Sequence, residues 1–381
     1  DQPKFVIANN KLDIERFVDE NGFPILARPS FVLSGTAMKV AYNREQLNKY
    51  LSLAGQVSNE HPVVLTEFIQ GAKEVELDGV ASKGSAFVSI LSEHLENAGV
   101  HSGDATIVYP VKNIQEDTQE LLKNYGKEIV KSLNLTGPFN IQFIVKGKTV
   151  KVIECNARAS RSFPFISKVS GVNLAKIATK VFLEKSVDEK EQTPSNISRF
   201  GVKSPMFSFK RLEGADPLLG VEMASTGEVG CLGSSFEQAL LLALEATGTT
   251  KPEKGILISS GSLKSKTDFM EFLPFIKKLK IPIYSTIGTW QYLKEKGEET
   301  LLVNHDENGV EVVLDLIKKQ KIDFIINIPK VFGEVGSGIE IRKLATKHSC
   351  SLITNLELAR GFFKAINEDL NLAINHEVFP L

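Results

Sequence analysis

Residues 140–165 read NIQFIVKGKTVKVIECNARASRSFPF. Two apolar runs flank Gly147, so 140–156 predict a β-hairpin turning near that glycine. Side chains two apart on a strand share a face, which lines up Glu154, Asn156 and, further on, Arg158. Gln142, on the partner strand, is polar in an apolar stretch. A two-residue turn at 147–148 would set Gln142 against Ile153, away from Glu154. A three-residue loop at 147–149 would set it opposite Glu154, and this is the register expected. Gln, Glu and Asn oxygens would then share one surface, and such hard donors suit Mg2+ whose shell is completed by nucleotide phosphates. Arg158 and Arg161, beyond the strand end, have the fork geometry that matches phosphate oxygens. The same spacing fits a plainer arrangement, in which Glu154 pairs with an arginine and the strand simply ends. Cys155 falls on the other face, as packing.

Working upstream, KLDIERFVDEN (11–21) has helical spacing and Gly22 to stop it. FPILARPSF (23–31) and KVAY (39–42) read as strands around the loop LSGTAM (33–38). A helix is expected over 43–54, then strands VVLTEFI (63–69), EVELDGVA (74–81) and FVSILSEHLE (87–96), then a helix over 115–133. EVELDGV alternates polar and apolar residues, as a half-buried strand does. Downstream, 173–185 is an amphipathic helix and 186–199 a polar connection after which the chain can return to the same body. TGTTKPEKG (247–255) is the clearer boundary. Beyond it strands at 255–260, 281–286, 300–304, 323–329 and 351–355 alternate with helices at 267–279, 289–296, 309–319, 338–347 and 356–366. That alternation predicts a parallel sheet covered on both faces.

The 381 residues suit two domains, 1–250 and 251–381. Apolar content of 42% and charged content of 24% are ordinary for a globular chain. A net charge of −1 gives no broad electrostatic case for nucleic acid or an anionic membrane, so an anionic ligand must be gripped locally. No apolar run approaches the roughly 20 residues that span a bilayer. Three widely spaced cysteines form neither a disulfide framework nor a zinc motif, and they suit a reducing compartment. No secretory or transit segment is visible. The chain begins with Asp1 and reads as part of something longer.

Other polar clusters carry two readings each. Ser34, Gly35 and Thr36 could cradle an anion or form an ordinary turn, and no Walker-type GxxxxGK[ST] is present. GEVGSG (333–338) has its glycines in the wrong order for dinucleotide binding. Glu93, His94, Glu96, His101, Ser102 and Asp104 make either a polar site or a solvated loop, at no zinc spacing. In the second half Thr286, Thr289 and Asn327, with Ser259 near Lys264 and Lys266, fall at strand ends. There they either bind an anion or cap helices.

Taken in order, FPILARPSFVLSGTAM (23–38), EHLENAGVHSGDA (93–105), GPFNIQF (137–143), ECNARASRSFPFISKVSGVNLAK (154–176) and GADPLLGVEMASTGEV (214–229) resemble the large chain of carbamoyl phosphate synthetase, over nearly the whole sequence. ASRSFPFISKVSGV looks like the second, carbamate-phosphorylating half. The resemblance implies an α/β and α+β architecture. A partial ATP-grasp domain, lacking its N-terminal part, is followed by a methylglyoxal-synthase-like parallel α/β domain that binds allosteric effectors. It also implies residue roles. Arg28 would meet nucleotide phosphate, the backbone of Glu67 and Ile69 adenine, and Glu74 ribose, with His101 and Ser102 also at the nucleotide. Gln142, Glu154 and Asn156 would hold Mg2+ or Mn2+, with K+ as a further ion. Arg158 and Arg161 would surround the transferred phosphate and carbamate, and Ser259, Thr286, Thr289 and Asn327 would bind the effector. The partners implied are ATP, carbamate, a preceding bicarbonate half, and a glutaminase subunit or domain or else free ammonia. The setting implied is cytoplasmic or mitochondrial matrix, in arginine, pyrimidine or urea metabolism. KVFGEVG (330–336) stands where ammonia-dependent members carry an Asn-rich run, so N-acetylglutamate binding is not carried over. Two other readings remain: another ATP-grasp carboxylate ligase, or an effector-binding module without catalysis.

Overall fold

The computed structural model describes residues 1–29, 38–57, 62–194, 199–209, 214–303, 309–330, 337–368 and 370. The loop residues 33–37, the segment 333–336 and the Asn-rich-run position 331–336 lie outside them.

Strands β1 (Phe5–Ala8), β2 (Ile25–Pro29), β3 (Lys39–Ala41) and β4 (Val63–Glu67) form an antiparallel sheet in the order β1-β4-β2-β3. Alternation divides its residues. Ile25, Ala27 and Leu65 pack with Phe17 and Val18 of α1 (Lys11–Asn21) and Leu47 of α2 (Arg44–Val57), while Leu26, Arg28, Val64 and Thr66 face an open cleft. Gly22 ends α1 at φ +68°, a conformation that favours glycine.

The second sheet has the order β11-β10-β7-β6-β5-β8-β9 and is antiparallel. Its strands are β5 (Lys73–Ser82), β6 (Ser85–Asn97), β7 (Ile107–Tyr109), β8 (Gly137–Lys146), β9 (Thr149–Asn156), β10 (Phe200–Met206) and β11 (Gly227–Gly233). On one face Val75, Leu77 and Ala81 pack with Leu122 and Val130 of α3 (Glu116–Ser132). On the other, Val80, Val88 and Ile90 meet α4 (Phe163–Ser170) and α5 (Leu174–Phe182). The polar connection holds one short helix, α6 (Glu189–Gln192), and the chain then returns to this sheet as β10 and β11.

Two expectations are corrected here. EVELDGV is not half-exposed, because β5 is central and Glu74, Glu76 and Asp78 are all buried. The hairpin turn is two residues, since Lys146 pairs with Thr149, yet Gln142 still lies opposite Glu154. A bulge makes up the difference: Phe143 pairs with Val152, so Ile153 is an extra residue in β9.

The third sheet is parallel, in the order β14-β13-β12-β15-β16. Its strands are β12 (Ile256–Ser260), β13 (Ile283–Thr286), β14 (Leu301–Val303), β15 (Phe324–Ile328) and β16 (Ser351–Ile353). One face packs α11 (Gly309–Lys318) and α12 (Ser337–Lys347) through Val313, Ile341 and Ala345. The other packs α8 (Leu263–Phe269), α9 (Leu273–Lys277), α10 (Ile287–Glu295) and α13 (Leu356–Ala365). The helix expected over 267–279 is thus two helices, because Pro274 starts a new one and cannot continue an old one. The longest apolar run, 239–244, lies in α7 (Phe236–Ala246), whose Leu240 and Leu244 join β6, β7 and β10 to the parallel sheet in one core.

Candidate functional site

A cleft of about 940 Å³ opens between the first two sheets, within the size range of small-molecule sites. Arg28, Glu67 and Ile69 line it from the first sheet and the β4–β5 connection. Glu74, His101 and Ser102 line it from β5 and the β6–β7 connection. Gln142, Glu154, Asn156, Arg158 and Arg161 line it from the hairpin and the loop beyond. Sequence positions from 28 to 161 therefore meet on one surface.

Around Gln142 and Glu154 the amide nitrogens are spent on neighbours. Asn156 Nδ2 donates to Glu154 Oε1 at 2.8 Å and Gln142 Nε2 donates to Ser102 Oγ at 3.3 Å. Among the described residues, Gln142 Oε1, Asn156 Oδ1 and Glu154 Oε2 have no hydrogen-bond partner. Three hard oxygens, one of them anionic, fit Mg2+ or Mn2+ with phosphate oxygens completing the shell. Glu154 makes no ion pair with an arginine among the described residues; its hydrogen-bond partner is Asn156.

Behind the cleft lies a buried polar ladder. His94 Nε2 is 2.9 Å from Glu76 Oε1, and its Nδ1 is 3.8 Å from Glu74 Oε1. Asn140 Nδ2 donates to Glu76 Oε2 at 3.0 Å and to Asp78 Oδ1 at 3.1 Å. Ser160 Oγ donates to Asp78 Oδ1 at 2.6 Å, tying the loop between the two arginines to β5. Burial, with the charge of Glu76 beside it, pushes Asp78 up to about 7. Burial pushes Glu74 up to about 7 as well, against the pull of His94. Glu76 is the exception: burial raises it, but the hydrogen bond and charge of His94, with Lys203, hold it below the usual range. Burial opposes protonation of His94, and the charges of Glu74 and Glu76 overcome that and raise it.

The acids of EHLENAGVHSGDA do not form a solvated loop. Glu93, His94, Glu96 and Asp104 are buried. Glu93 accepts from the backbone of Lys112 and Asn113, Glu96 from Thr106, and Asp104 from Ala224 and Ser225. His101 is left on the cleft. Burial lowers its pKa, and its Nδ1 accepts from Gly103 N at 3.0 Å, so the neutral ring carries its proton on Nε2. Lys203, fully buried, donates to the carbonyls of Ser102 and Gly103 at 3.4 Å and pairs with Glu228 at 3.6 Å.

Sequence reasoning missed Glu76, Asp78, Asn140, Ser160 and Lys203 as parts of this site. The signal was three acids two apart in EVELDGV, which is also the signature of a solvated strand face.

At the parallel sheet, Ser259 pairs in register with Asn327, and Thr286 Oγ1 is 3.3 Å from Ser259 Oγ and 3.4 Å from Thr289 Oγ1. Thr289 Oγ1 is itself committed, accepting from Ser260 N at 2.9 Å and so tying α10 to β12. The strand order reverses at β12 and β15, the point where open sheets bind ligands.

Residues 4–190 match the carbamoyl-phosphate synthase L chain, ATP binding domain, and residues 268–354 match the MGS-like domain. The chain belongs to the carbamoyl-phosphate synthase large-chain family. It carries the C-terminal ATP-binding domain followed by the MGS-like domain, an ATP-grasp ligase architecture. It is 42% identical over 98% of its length to multifunctional protein ura1 of Schizosaccharomyces pombe, of which it covers 17%. It is 40% identical over 96% of its length to mitochondrial carbamoyl-phosphate synthase [ammonia] of Aquarana catesbeiana, of which it covers 25%. The chain thus spans a quarter or less of these relatives. Among solved structures, the biotin carboxylase domain of the Hydrogenobacter thermophilus 2-oxoglutarate carboxylase, solved with MgADP and bicarbonate, superposes with a TM-score of 0.52 at 14% identity. The match covers 64% of this chain and 62% of that one, and shows a shared fold. No helix among the described residues is long and apolar enough to cross a membrane.

Proposed function

We propose that the cleft phosphorylates carbamate from MgATP to give carbamoyl phosphate, and that the parallel domain binds a small anionic effector. The observation that carries this reading is the meeting of Arg28, Glu74, Gln142, Glu154, Asn156, Arg158 and Arg161 on one cleft, with Gln142 opposite Glu154.

In the reaction a carbamate oxygen attacks the γ-phosphorus, the bond to the bridging oxygen of ADP breaks, and negative charge shifts onto the leaving diphosphate. Arg158 and Arg161 meet that charge through fixed donors, which act most strongly where water is excluded. Arg161 is already oriented, with Nη1 donating to Met223 Sδ at 2.9 Å and Ser225 Oγ at 3.3 Å. Asp78 holds the loop through Ser160, so the arginines need not be ordered during reaction. Gln142, Glu154 and Asn156 would hold the divalent ion, which when bound neutralises phosphate charge and orients the γ-phosphoryl group. No side-chain nucleophile is required.

In this reading residues 1–250 do the chemistry and 251–381 the regulation. The carbamate comes from another part of a longer enzyme, fed by glutamine-derived or free ammonia, in the cytoplasm or mitochondrial matrix. The test is ATP formation from MgADP and carbamoyl phosphate, which uses this site alone: loss of it in Glu154→Gln supports the reading, and equal ATP formation at equal stability contradicts it.

A further inference from the structure

Two buried donors stand unspent at the carboxyl end of the parallel sheet. Asn327 Nδ2 and Ser260 Oγ are buried and have no hydrogen-bond partner among the described residues. Arg342, only 3% exposed, reaches Asn327 from α12, and its Nη1 donates to Asn327 Oδ1 at 2.9 Å. The other edge of this guanidinium is gripped from outside the domain: Nε and Nη2 donate to the two oxygens of Asp216 at 2.6 and 2.5 Å. A buried fork with an amide donor beside it suits an anion, and Asp216 is the anion now in the fork.

Asp216 opens a segment that ends at the catalytic cleft. Gly220 O accepts from His101 N at 2.8 Å. Met223 and Ser225 accept from Arg161, and the N–H groups of Ala224 and Ser225 donate to Asp104 at 2.8 and 2.9 Å. Val221 and Met223 line the cleft itself. One strap, 216–226, therefore touches Arg342 of α12 at one end and the loops carrying His101 and Arg161 at the other.

We propose that Asp216 and Arg342 form an exchangeable ion pair. A phosphate or carboxylate ligand at the strand ends takes over the Arg342 fork, Asp216 is released, and the strap passes the change to His101 and Arg161. This rests on the reading of the cleft as the nucleotide site and adds the coupling between it and the effector. Asp216 fills the Nε–Nη2 edge of the guanidinium, so a second anion takes that edge only by displacing it. A ligand that binds only the released state must shift the population toward it. A purely structural pair would have no use for an Asn327 donor left unspent beside it.

The test uses the 381-residue chain and inorganic phosphate. Trp290, the single tryptophan, lies in α10 next to Thr289, so its fluorescence reads phosphate at the strand ends. MgADP affinity is measured by calorimetry with and without saturating phosphate. Phosphate is expected to change the MgADP Kd by about fivefold or more, and MgADP to change the phosphate Kd by the same factor. In Asp216→Asn, phosphate is expected to bind about tenfold tighter, as when one charge-assisted competitor is removed, and the coupling factor falls to one. Arg342→Lys, which keeps the charge and loses the fork, should bind phosphate more weakly. Retained coupling in Asp216→Asn overturns the proposal, because a direct effect of phosphate in the cleft would survive that change. Unchanged phosphate affinity in both variants, or no phosphate response at Trp290, overturns it too. Absence of MgADP binding in the unaltered chain would instead refute the nucleotide reading, and the phosphate affinities at Trp290 would still be read.

Discussion

Gln142 lies directly opposite Glu154 because Ile153 is an extra residue in β9. Without that bulge, the two-residue turn at 147–148 would put Ile153 there and turn Glu154 to the apolar face. Register is thus a property of the bulge and turn together, and it decides whether three oxygen donors share a surface. Gln142→Leu removes one oxygen from a half-buried position and is expected to weaken MgADP binding about tenfold, a change of roughly one hydrogen bond to a charged group. Calorimetry with MgADP checks this. Free ADP without metal should bind the variant and the unaltered chain alike.

Ser160 joins the arginine loop to Asp78, a carboxyl with no exposure. Ser160→Ala deletes the donor and leaves the main chain intact. The expected result is a fall in kcat of about tenfold or more with little change in the KM for nucleotide, since a misplacement of the groups that meet transition-state charge shows in kcat. A rise in KM alone would place Ser160 in ground-state binding instead.

The buried ladder sets a pH dependence of stability. Glu74 and Asp78 are held at about 7 against ordinary values of 4.5 and 3.8. Between those limits the folded chain binds more protons than the unfolded chain, so their contribution falls as pH rises toward 7. His94, raised from 6.5, adds to the loss, because its contribution is present below 6.5 and disappears as pH rises through its folded value. Glu76, held low, works oppositely and only below 4.5. Urea unfolding is expected to show a lower midpoint at about pH 7.5 than at about pH 5.5, and Asp78→Asn should shrink that difference. An unchanged slope in the variant would mean that Asp78 is not titrating there.

Lys203 spends its ammonium on the carbonyls of Ser102 and Gly103, which hold the His101 loop. Lys203→Met keeps the length and removes the donor. Leaving two carbonyls and the partly exposed Glu228 without it is expected to cost about 1–3 kcal/mol of stability, read as a lower urea midpoint, and to weaken MgADP binding through the displaced loop.

The parallel domain was legible in the sequence because its strands, buried on both faces, are continuous apolar runs such as ILISS and FIINI. The facing of Gln142 and Glu154 was legible too, although the expected loop length was wrong and the bulge restored the pairing. Hydrophobic periodicity cannot tell a strand facing water from one facing a buried polar site, so Glu74, Glu76 and Asp78 in EVELDGV read as solvated. Strands β10 and β11 were hidden by the glycines, serine and proline of FGVKSPM and GEVGCLG, which weaken any strand signal. The strap 216–226 has no period at all; its roles come from single contacts to Arg342, Asp104 and Arg161, which only three dimensions bring together.

The central claim is that Gln142, Glu154 and Asn156 organise a phosphoryl-transfer site for carbamate. Its most direct test is ATP formation from MgADP and carbamoyl phosphate by the chain and by Glu154→Gln, with folding of both checked by thermal melting. Glu154 is exposed to the cleft, so the variant should melt like the unaltered chain. The expected result is ATP formation by the unaltered chain and its loss, by a factor of about 100 or more, in the variant. Equal ATP formation by both, at equal stability, would contradict the assignment.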